Sequence, residues 1–450
     1  MRTWLETVRR NRLAALGAGV GSLLGLWVLW SLFIPHRDPI VEAIRKQGYP
    51  VCLEELDAYY PSVPAEENAA LIYTNVFALL TNCPRADTSY RLPSLPVGHC
   101  LPPDEVRELK DCLAKNQPAL RLLYSVPASA HSRYPTRLAD GFNTLVPHLS
   151  GVKEAVAWLR AEGLLHATEG DAEKATQAFL AAGRVAESLG DEPLIISQWV
   201  RYVCWAGLLS RLECALSLTT FTDSQLAALQ KLVTSSEQPR AMARAMAAER
   251  ASGISAFADP RGMPLALPQA QGWGGPLRDS VETAVFWAVR AAGFKEKDRV
   301  FYCDTMAKHI AALELPYPAR AAAGRQCAAF TTAPSRFHLF SQMHLPVLVS
   351  SHRKDAGHVA NVRVAIAALA IERFRLAHTN ALPASLEQLA PECCESVPAD
   401  PFDGKPLRYK THGASYAVYS IGSDGRDDGG VVWDSKFTKV PRDVAFVVKH

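Results

Sequence analysis

The sequence predicts a mainly α-helical chain with three parts: an N-terminal transmembrane helix, a region of helical hairpins, and a small C-terminal α+β domain with a three-stranded antiparallel sheet. Three observations carry this expectation. Residues Leu13 to Ile34 contain no charged side chain. From residue 36 to 350, apolar positions recur at helical spacing and long alternating β-branched runs are missing. After Ala356 the pattern changes to short strand-like runs bounded by turn residues. The expected organisation is a cytoplasmic tail (1–12), an anchor (13–34), a helical region (35–354) with two lobes split near 260–278, and the α+β domain (355–450).

Composition supports a folded protein: of 450 residues, 48% are hydrophobic and 21% charged. Lys and Arg total 48 against 45 Asp and Glu, a net charge of +3. No strongly basic stretch stands out, which argues against nucleic acid as a partner.

The uncharged run of 22 residues would reach about 33 Å as a helix, enough to cross a hydrocarbon core. Trp27 and Trp30 lie near its far end, where aromatic rings favour the interface. Arg2, Arg9, Arg10 and Arg12 precede it, against one Glu6; Arg37 and Asp38 follow. The excess of positive charge places the N-terminus in the cytoplasm and the bulk of the chain outside, at an inner membrane in single-pass topology. The run is longer than a signal-peptide core, and Ser31-Leu32-Phe33-Ile34-Pro35 is too bulky for a cleavage site. Gly17, Gly21 and Gly25 form a bare stripe through which two copies would pair.

Helix signals follow in order. Pro102-Pro103-Asp104-Glu105 opens a helix, with acids at the positive dipole end. Gly163, Gly170, Ala175, Phe179 and Ala182 fall at tetratricopeptide-like spacings, with Phe179 expected to fill the groove of a helical hairpin. Thr222 and Gln225 make a capping box, with Phe221 stapled to Leu226. Two proline-rich stretches, 84–103 and 260–276, read as loops.

In the last segment, Asn361 to His378 is an Ala-rich helix, and Ser385 with Gln388 caps a short one. Asp400-Pro401-Phe402-Asp403-Gly404 is turn chemistry. Leu407–Lys410 and Ser415–Ile421 read as strands paired around His412-Gly413, with Val444–Val448 a third strand. The motifs DPFDGKPLRY (Asp400–Tyr409) and YAVYSIGSDGRDDGG (Tyr416–Gly430) resemble the soluble domain of the major pseudopilin of type II secretion. With IERFRLAHTNALPASLEQL (Ile371–Leu389), the chain also resembles uncharacterised bacterial membrane-anchored proteins in which helical regions precede such a module. The resemblance implies no enzymatic activity. It does imply a structural calcium ion.

The acidic loop is the first candidate site. Asp424, Asp427 and Asp428 sit between glycines, and Asp443 would close the loop from beside the final strand. Calcium takes six to eight oxygen ligands, and glycines let backbone carbonyls turn inward. The spacing is not that of an EF-hand. His338, His344, His352 and His358 form a second cluster, but they match no standard zinc or haem spacing and read as surface or loop histidines. Ten cysteines outside the cytoplasm suggest some disulfides of undetermined connectivity, with Cys204 and Cys214 as buried thiols the alternative.

No nucleophile elbow, phosphate-binding loop or dinucleotide fingerprint occurs in the sequence. The leading expectation is a non-catalytic interaction or scaffold protein with a protein partner outside the cytoplasm. Two others stand beside it: an envelope hydrolase with dispersed acidic residues, and a subunit associated with a secretion or pilus-like apparatus. Carboxylates converging in a deep cleft would favour the hydrolase. A groove without them would favour binding.

Overall fold

The computed structural model describes residues 38–80, 101–127, 130–258, 294–331, 338–430 and 443–450. The expected span Leu13–Ile34, its glycine stripe, residues 84–100 of the first proline-rich loop and all of the second lie outside them. Among the described residues no helix is long and apolar enough to cross a membrane.

Residues 1–49 form a unit of their own. Within it, α1 (Pro39–Lys46) begins at Asp38, whose carboxylate accepts the N–H groups of Ile40 and Val41 at 2.9 and 3.4 Å. These are first-turn donors that the helix itself cannot satisfy.

Residues 50–450 form the second unit. Its helices are α2 (Leu53–Tyr59), α3 (Ala69–Leu79), α4 (Pro103–Ser125), α5 (His148–Thr168), α6 (Ala172–Glu187), α7 (Ile195–Leu216), α8 (Asp223–Ser235), α9 (Ala241–Ala258), α10 (Phe294–Glu314), α11 (Ala319–Thr331) and α12 (Leu339–Ala377). Strands β1 (Arg408–His412), β2 (Ser415–Ser420) and β3 (Val444–Val448) complete it. The mainly helical architecture with one small antiparallel sheet is the one the sequence predicts.

Several local signals act as expected. Helix α4 starts at Pro103. At α8, Thr222 Oγ1 accepts the Gln225 N–H and Gln225 Oε1 accepts the Thr222 N–H, a complete capping box. Phe221 and Leu226 are both buried beside it. Helices α5 and α6 pack as a hairpin through the bend at Gly170 (φ +80°). A Cβ at Gly163 would come within 2.9 Å of the Phe179 ring, so the bare backbone there is what lets the ring fill the groove.

The capping box expected at Ser385 is half formed. Gln388 reaches back to the Ala384 N–H at 2.7 Å, but Ser385 makes no side-chain cap to the short 3₁₀ turn Leu386–Leu389.

Helix α12 departs from expectation. It begins at Leu339 rather than Asn361 and runs 39 residues, about 58 Å. Residue 355, where the α+β segment was expected to begin, lies within it. The polar stretch Ser350–Asp355 lies mid-helix, with Ser351, His352 and Asp355 buried against neighbouring helices. Helix α12 packs on α7, α8, α10 and α11 through most of its length, and on β2 and β3 near its C-terminal end.

The sheet has order β1-β2-β3, all antiparallel, with Tyr409 opposite Val418 and Val418 opposite Phe446. Gly413 (φ +62°) turns the first hairpin. Tyr416 and Val418 of β2 join Phe446 and Val448 of β3 in the core, at the period of two that strands impose. They meet the alanine face of α12 (Ala365, Ala368), whose small side chains admit the sheet. The Tyr416 hydroxyl bonds the Ala368 carbonyl and Glu372 at 3.1 and 2.8 Å.

The three short strands do not form a core of their own. Here a single core runs from Ala69 to Val448 and includes helices and sheet together. The outer edge of β3 is closed by α7: the Val447 N–H donates to Glu213 at 2.6 Å and the Lys449 N–H to Ser217 at 3.0 Å. Helix side chains thus take the ladder donors that an edge strand leaves open. Burial pushes the Glu213 carboxyl up to about 7.

Candidate functional site

The acidic loop follows β2. Asp424 Oδ1 accepts the Arg426 N–H at 3.1 Å, and Asp427 Oδ1 accepts the Gly429 N–H at 2.9 Å. Both carboxylates are exposed and close local turns. Asp443 is 3% exposed and accepts the Gly430 N–H through Oδ2 at 2.7 Å. Its Oδ1 is buried and has no hydrogen-bond partner among the described residues. The Asp443 carboxyl is pushed up, first by burial and then by the charges of Asp427 and Asp428. The fold therefore brings Asp427, Asp428 and Asp443 within electrostatic range of one another. The Arg408 guanidinium stands 3.9 Å from Asp427 as a competing cation.

The surface-or-loop expectation holds for His338 alone, which precedes α12 and is half-buried; for the other three it is corrected, since His344, His352 and His358 lie within α12, the first half-buried and the last two buried. His338 is the N-cap of α12 and stacks on Phe301 with ring centroids 4.4 Å apart. His344 lies between Phe142 and Phe340 at 4.7 and 4.2 Å. His358 stacks on Tyr202 at 4.4 Å and donates from Nε2 to the Ser236 carbonyl at 3.1 Å. Burial holds its pKa down to about 3, aided by the nearby Arg201 charge. The neutral ring thus serves as a flat hydrogen-bonding core residue.

His352 belongs to a different group, with His309 of α10 and Cys327 of α11. Their nearest ligand atoms all lie within 4.8 Å of one another, and all three residues are buried. Among the described residues this is the one group of three or more His, Cys, Asp or Glu side chains so close. Set 18 and 25 positions apart (327 − 309 and 352 − 327) on three helices, none of these residues signals the others. Each sits in an apolar helical stripe instead: His352 with Leu345, Leu348, Ala356 and Val359, and His309 with Tyr302, Met306 and Leu313. A histidine within such a stripe was the signal to follow.

The hydrogen bonds fix the protonation pattern. Thr331 donates its hydroxyl proton to the Cys327 carbonyl at 2.7 Å, so it must accept from His309 Nε2 at 2.9 Å. His309 Nδ1 is then a bare acceptor, and His352 Nε2 donates to it at 2.8 Å. His352 Nδ1 is left bare, buried and without a hydrogen-bond partner among the described residues. Burial lowers the pKa of His309 to about 3 and that of His352 to about 4; the facing His352 and Arg320, respectively, add to the effect. Burial raises the Cys327 thiol, whose Sγ lies 3.7 Å from the Lys308 carbonyl.

Helix α11 reaches α12 closely because position 324 has no side chain: a Cβ on Gly324 would lie 2.8 Å from His352 Cβ. Next to this contact is a cavity of about 380 Å³, lined by His352, Gly324, Arg353, Ser350, Phe402 and Ser423 among others.

A buried charge network adjoins the cluster. Asp355, 3% exposed, accepts the hydroxyls of Tyr202 and Tyr317 at 2.7 and 2.5 Å and pairs with Arg320 at 3.0 Å. A second network ties Arg201 to Glu187, Gln198 and the Ser236 carbonyl at 3.0, 3.0 and 2.6 Å.

The eight described cysteines (52, 112, 204, 214, 303, 327, 393 and 394) form no disulfide. The expected disulfides are thus not found among them. Cys83 and Cys100 lie outside the described residues. The helical packing buries thiols such as Cys204 and Cys214 as small apolar groups.

Comparison of the chain with protein-family models, curated proteins and solved structures finds no match.

Proposed function

We propose that this protein is a membrane-anchored interaction or scaffold protein of the cell envelope. Its pseudopilin-like C-terminal segment would serve as a packing module and Leu13–Ile34 as its anchor. The observation that carries the binding reading concerns the grooves beside α3. One, of about 580 Å³, is lined by Glu66, Glu67, Leu71, Ile72 and His131. It shares Pro127, Ala130 and His131 with another of about 220 Å³ that reaches Arg184, Glu187 and Asp191. The inner carboxylates are already engaged: Glu187 by Arg201, Trp205 and Gln238, and Asp191 by Arg244. Carboxylates tied to structural donors hold helices together, which supports a binding surface over acid/base chemistry.

Topology is tested by fusing a reporter that is active only outside the cytoplasm after His450. The fusion should be active and remain in the membrane fraction. An inactive fusion, with a cytoplasmic reporter active at the same junction, would reverse the orientation. Release of a shortened chain would show cleavage instead.

The acidic loop is proposed to hold a structural calcium ion through Asp424, Asp427, Asp428 and Asp443. The buried Oδ1 of Asp443, which has no hydrogen-bond partner among the described residues, supports this, since a divalent ion would both pair it and relieve its repulsion by Asp427 and Asp428. Binding to the folded form alone would add about 2.7 kcal/mol at a hundredfold excess over Kd. The complete chain is the proper sample, because the sheet shares its core with the helices. It should melt higher in calcium than in chelator, with magnesium helping less. Asp443→Asn and Asp427→Ala should each remove most of the difference. Identical melting in calcium and chelator would leave the loop a solvated turn.

A further inference from the structure

We propose that His309, Cys327 and His352 form a binding site for a borderline-soft transition-metal ion, best suited to Zn²⁺. This site is independent of the acidic loop and of the anchor.

The donor set decides the class of ion. Two imidazoles and one thiol contain no oxygen ligand, so hard calcium or magnesium is disfavoured and zinc is favoured. The three donors come from α10, α11 and α12, so their positions are set by the packing of three helices and not by a pliable loop. His309 Nδ1 already points a bare lone pair at the shared centre, where the His352 N–H now occupies it. The two nitrogens are 2.8 Å apart. Around a tetrahedral zinc with bonds of 2.0–2.1 Å they would separate to about 3.3 Å. Opening the ring pair by about half an ångström therefore makes room for the ion. The thiol, which lies within 4.8 Å of a ring nitrogen of each histidine, would sit about 3.6 Å from the ligating nitrogens.

The surroundings supply what such a site needs. His309 donates its other N–H to Thr331, whose hydroxyl is held in turn by the Cys327 carbonyl. A second hydrogen bond of this kind fixes the tautomer and ring orientation of a ligating histidine. His352 Nδ1 has no hydrogen-bond partner among the described residues, and its ring lines the cavity of about 380 Å³. When the ion takes Nε2, the ring proton moves to Nδ1, where water in the cavity can accept it. The same cavity can supply water as the fourth ligand that three protein donors leave open. The nearby Arg320 charge, which would repel a cation, is neutralised by Asp355 at 3.0 Å.

The proton balance is simple. Zinc displaces one proton, that of the Cys327 thiol, to solvent. The imidazole proton of His352 changes nitrogen and is retained. The four ligands are thus two neutral rings, one thiolate and one water.

Cobalt(II) serves as the probe, because it takes zinc sites and reports a thiolate ligand by a charge-transfer band in the near ultraviolet. The full chain, purified in detergent under reducing conditions and freed of metal, should bind one cobalt ion with this band, and added zinc should abolish it. Cys327→Ser should lose the band, while Cys303→Ser, a buried thiol on α10 outside the cluster, should keep it. His352→Gln should weaken binding at least ~10-fold while retaining the wild-type circular dichroism, and Thr331→Val should weaken it by ~10-fold or more through the lost orienting bond. A wild-type chain without the band overturns the proposal. So does a Cys327→Ser or His352→Gln chain that binds cobalt as the wild type does. Calcium cannot imitate the result, since an oxygen site gives no thiolate band; the acidic-loop reading and the topology stand or fall separately.

Discussion

Asp355→Ala is expected to destabilise the protein by about 3–5 kcal/mol, the range for breaking a buried ion pair. The carboxylate lies at the centre of α7, α11 and α12, where it pairs with Arg320 and accepts from Tyr202 and Tyr317. Its loss strands a guanidinium that is 4% exposed and leaves the hydroxyls of buried Tyr202 and half-buried Tyr317 without their acceptor. Asp355→Asn should cost less, because the amide oxygen still accepts one hydroxyl. The double variant Asp355→Ala, Arg320→Met should recover much of the loss, since removing both charges also removes the uncompensated one. Urea unfolding followed by circular dichroism measures all three. A double variant no more stable than the single one would show that lost packing, and not the stranded charge, dominates.

Asp400→Ala should cost a similar amount, about 3–4 kcal/mol, from several charge-assisted hydrogen bonds lost at once. Asp400 is fully buried. It accepts the N–H groups of Phe402 and Ile421 and the hydroxyl of Ser420, each at 2.9 Å, and pairs with Arg408 at 2.8 Å. One side chain therefore ties the turn before β1 to the end of β2. Asp403 is the instructive control. It also pairs with Arg408, at 2.6 Å, but is more exposed. Asp403→Ala should cost under about 1 kcal/mol, the usual worth of a solvated pair. Limited proteolysis should detect the difference, with new cleavage between residues 400 and 430 in Asp400→Ala only. Equal resistance in both variants would mean that the turn is held by its apolar neighbours.

These two aspartates show how the C-terminal segment is built into the rest of the molecule. Glu213 and Ser217 hold the β3 edge, Tyr416 reaches α12, and Arg363 of the same helix donates to the Ala399 carbonyl at 2.8 Å. A partner that moved the sheet would therefore act directly on α7 and α12, the helices that carry the Arg201 and Asp355 networks. Those contacts connect the sheet directly to the helices that carry the two networks.

Where the chemistry is local, the residues alone determined the structure. Proline and acids at Pro103, the Thr222–Gln225 box, the bend at Gly170 with Phe179 against Gly163, and the hairpin at Gly413 each involve partners within a few turns of one another. Strand β3 was equally legible, because β-branched and aromatic residues in alternation have few other uses. Tertiary structure decided the rest. The polar run Ser350–Asp355 lies mid-helix because neighbouring helices bury it, with His309 meeting His352 and Tyr202 and Arg320 meeting Asp355, a fact that no spacing within the run records. His309, Cys327 and His352 are separated by 18 and 25 positions (327 − 309 and 352 − 327) and share no motif. They meet because α10, α11 and α12 bury their apolar stripes against one another, and a glycine at 324 lets two of those helices touch. Hydrophobic burial is non-directional and sets which faces meet, and only that meeting brings two imidazoles and a thiol to one point.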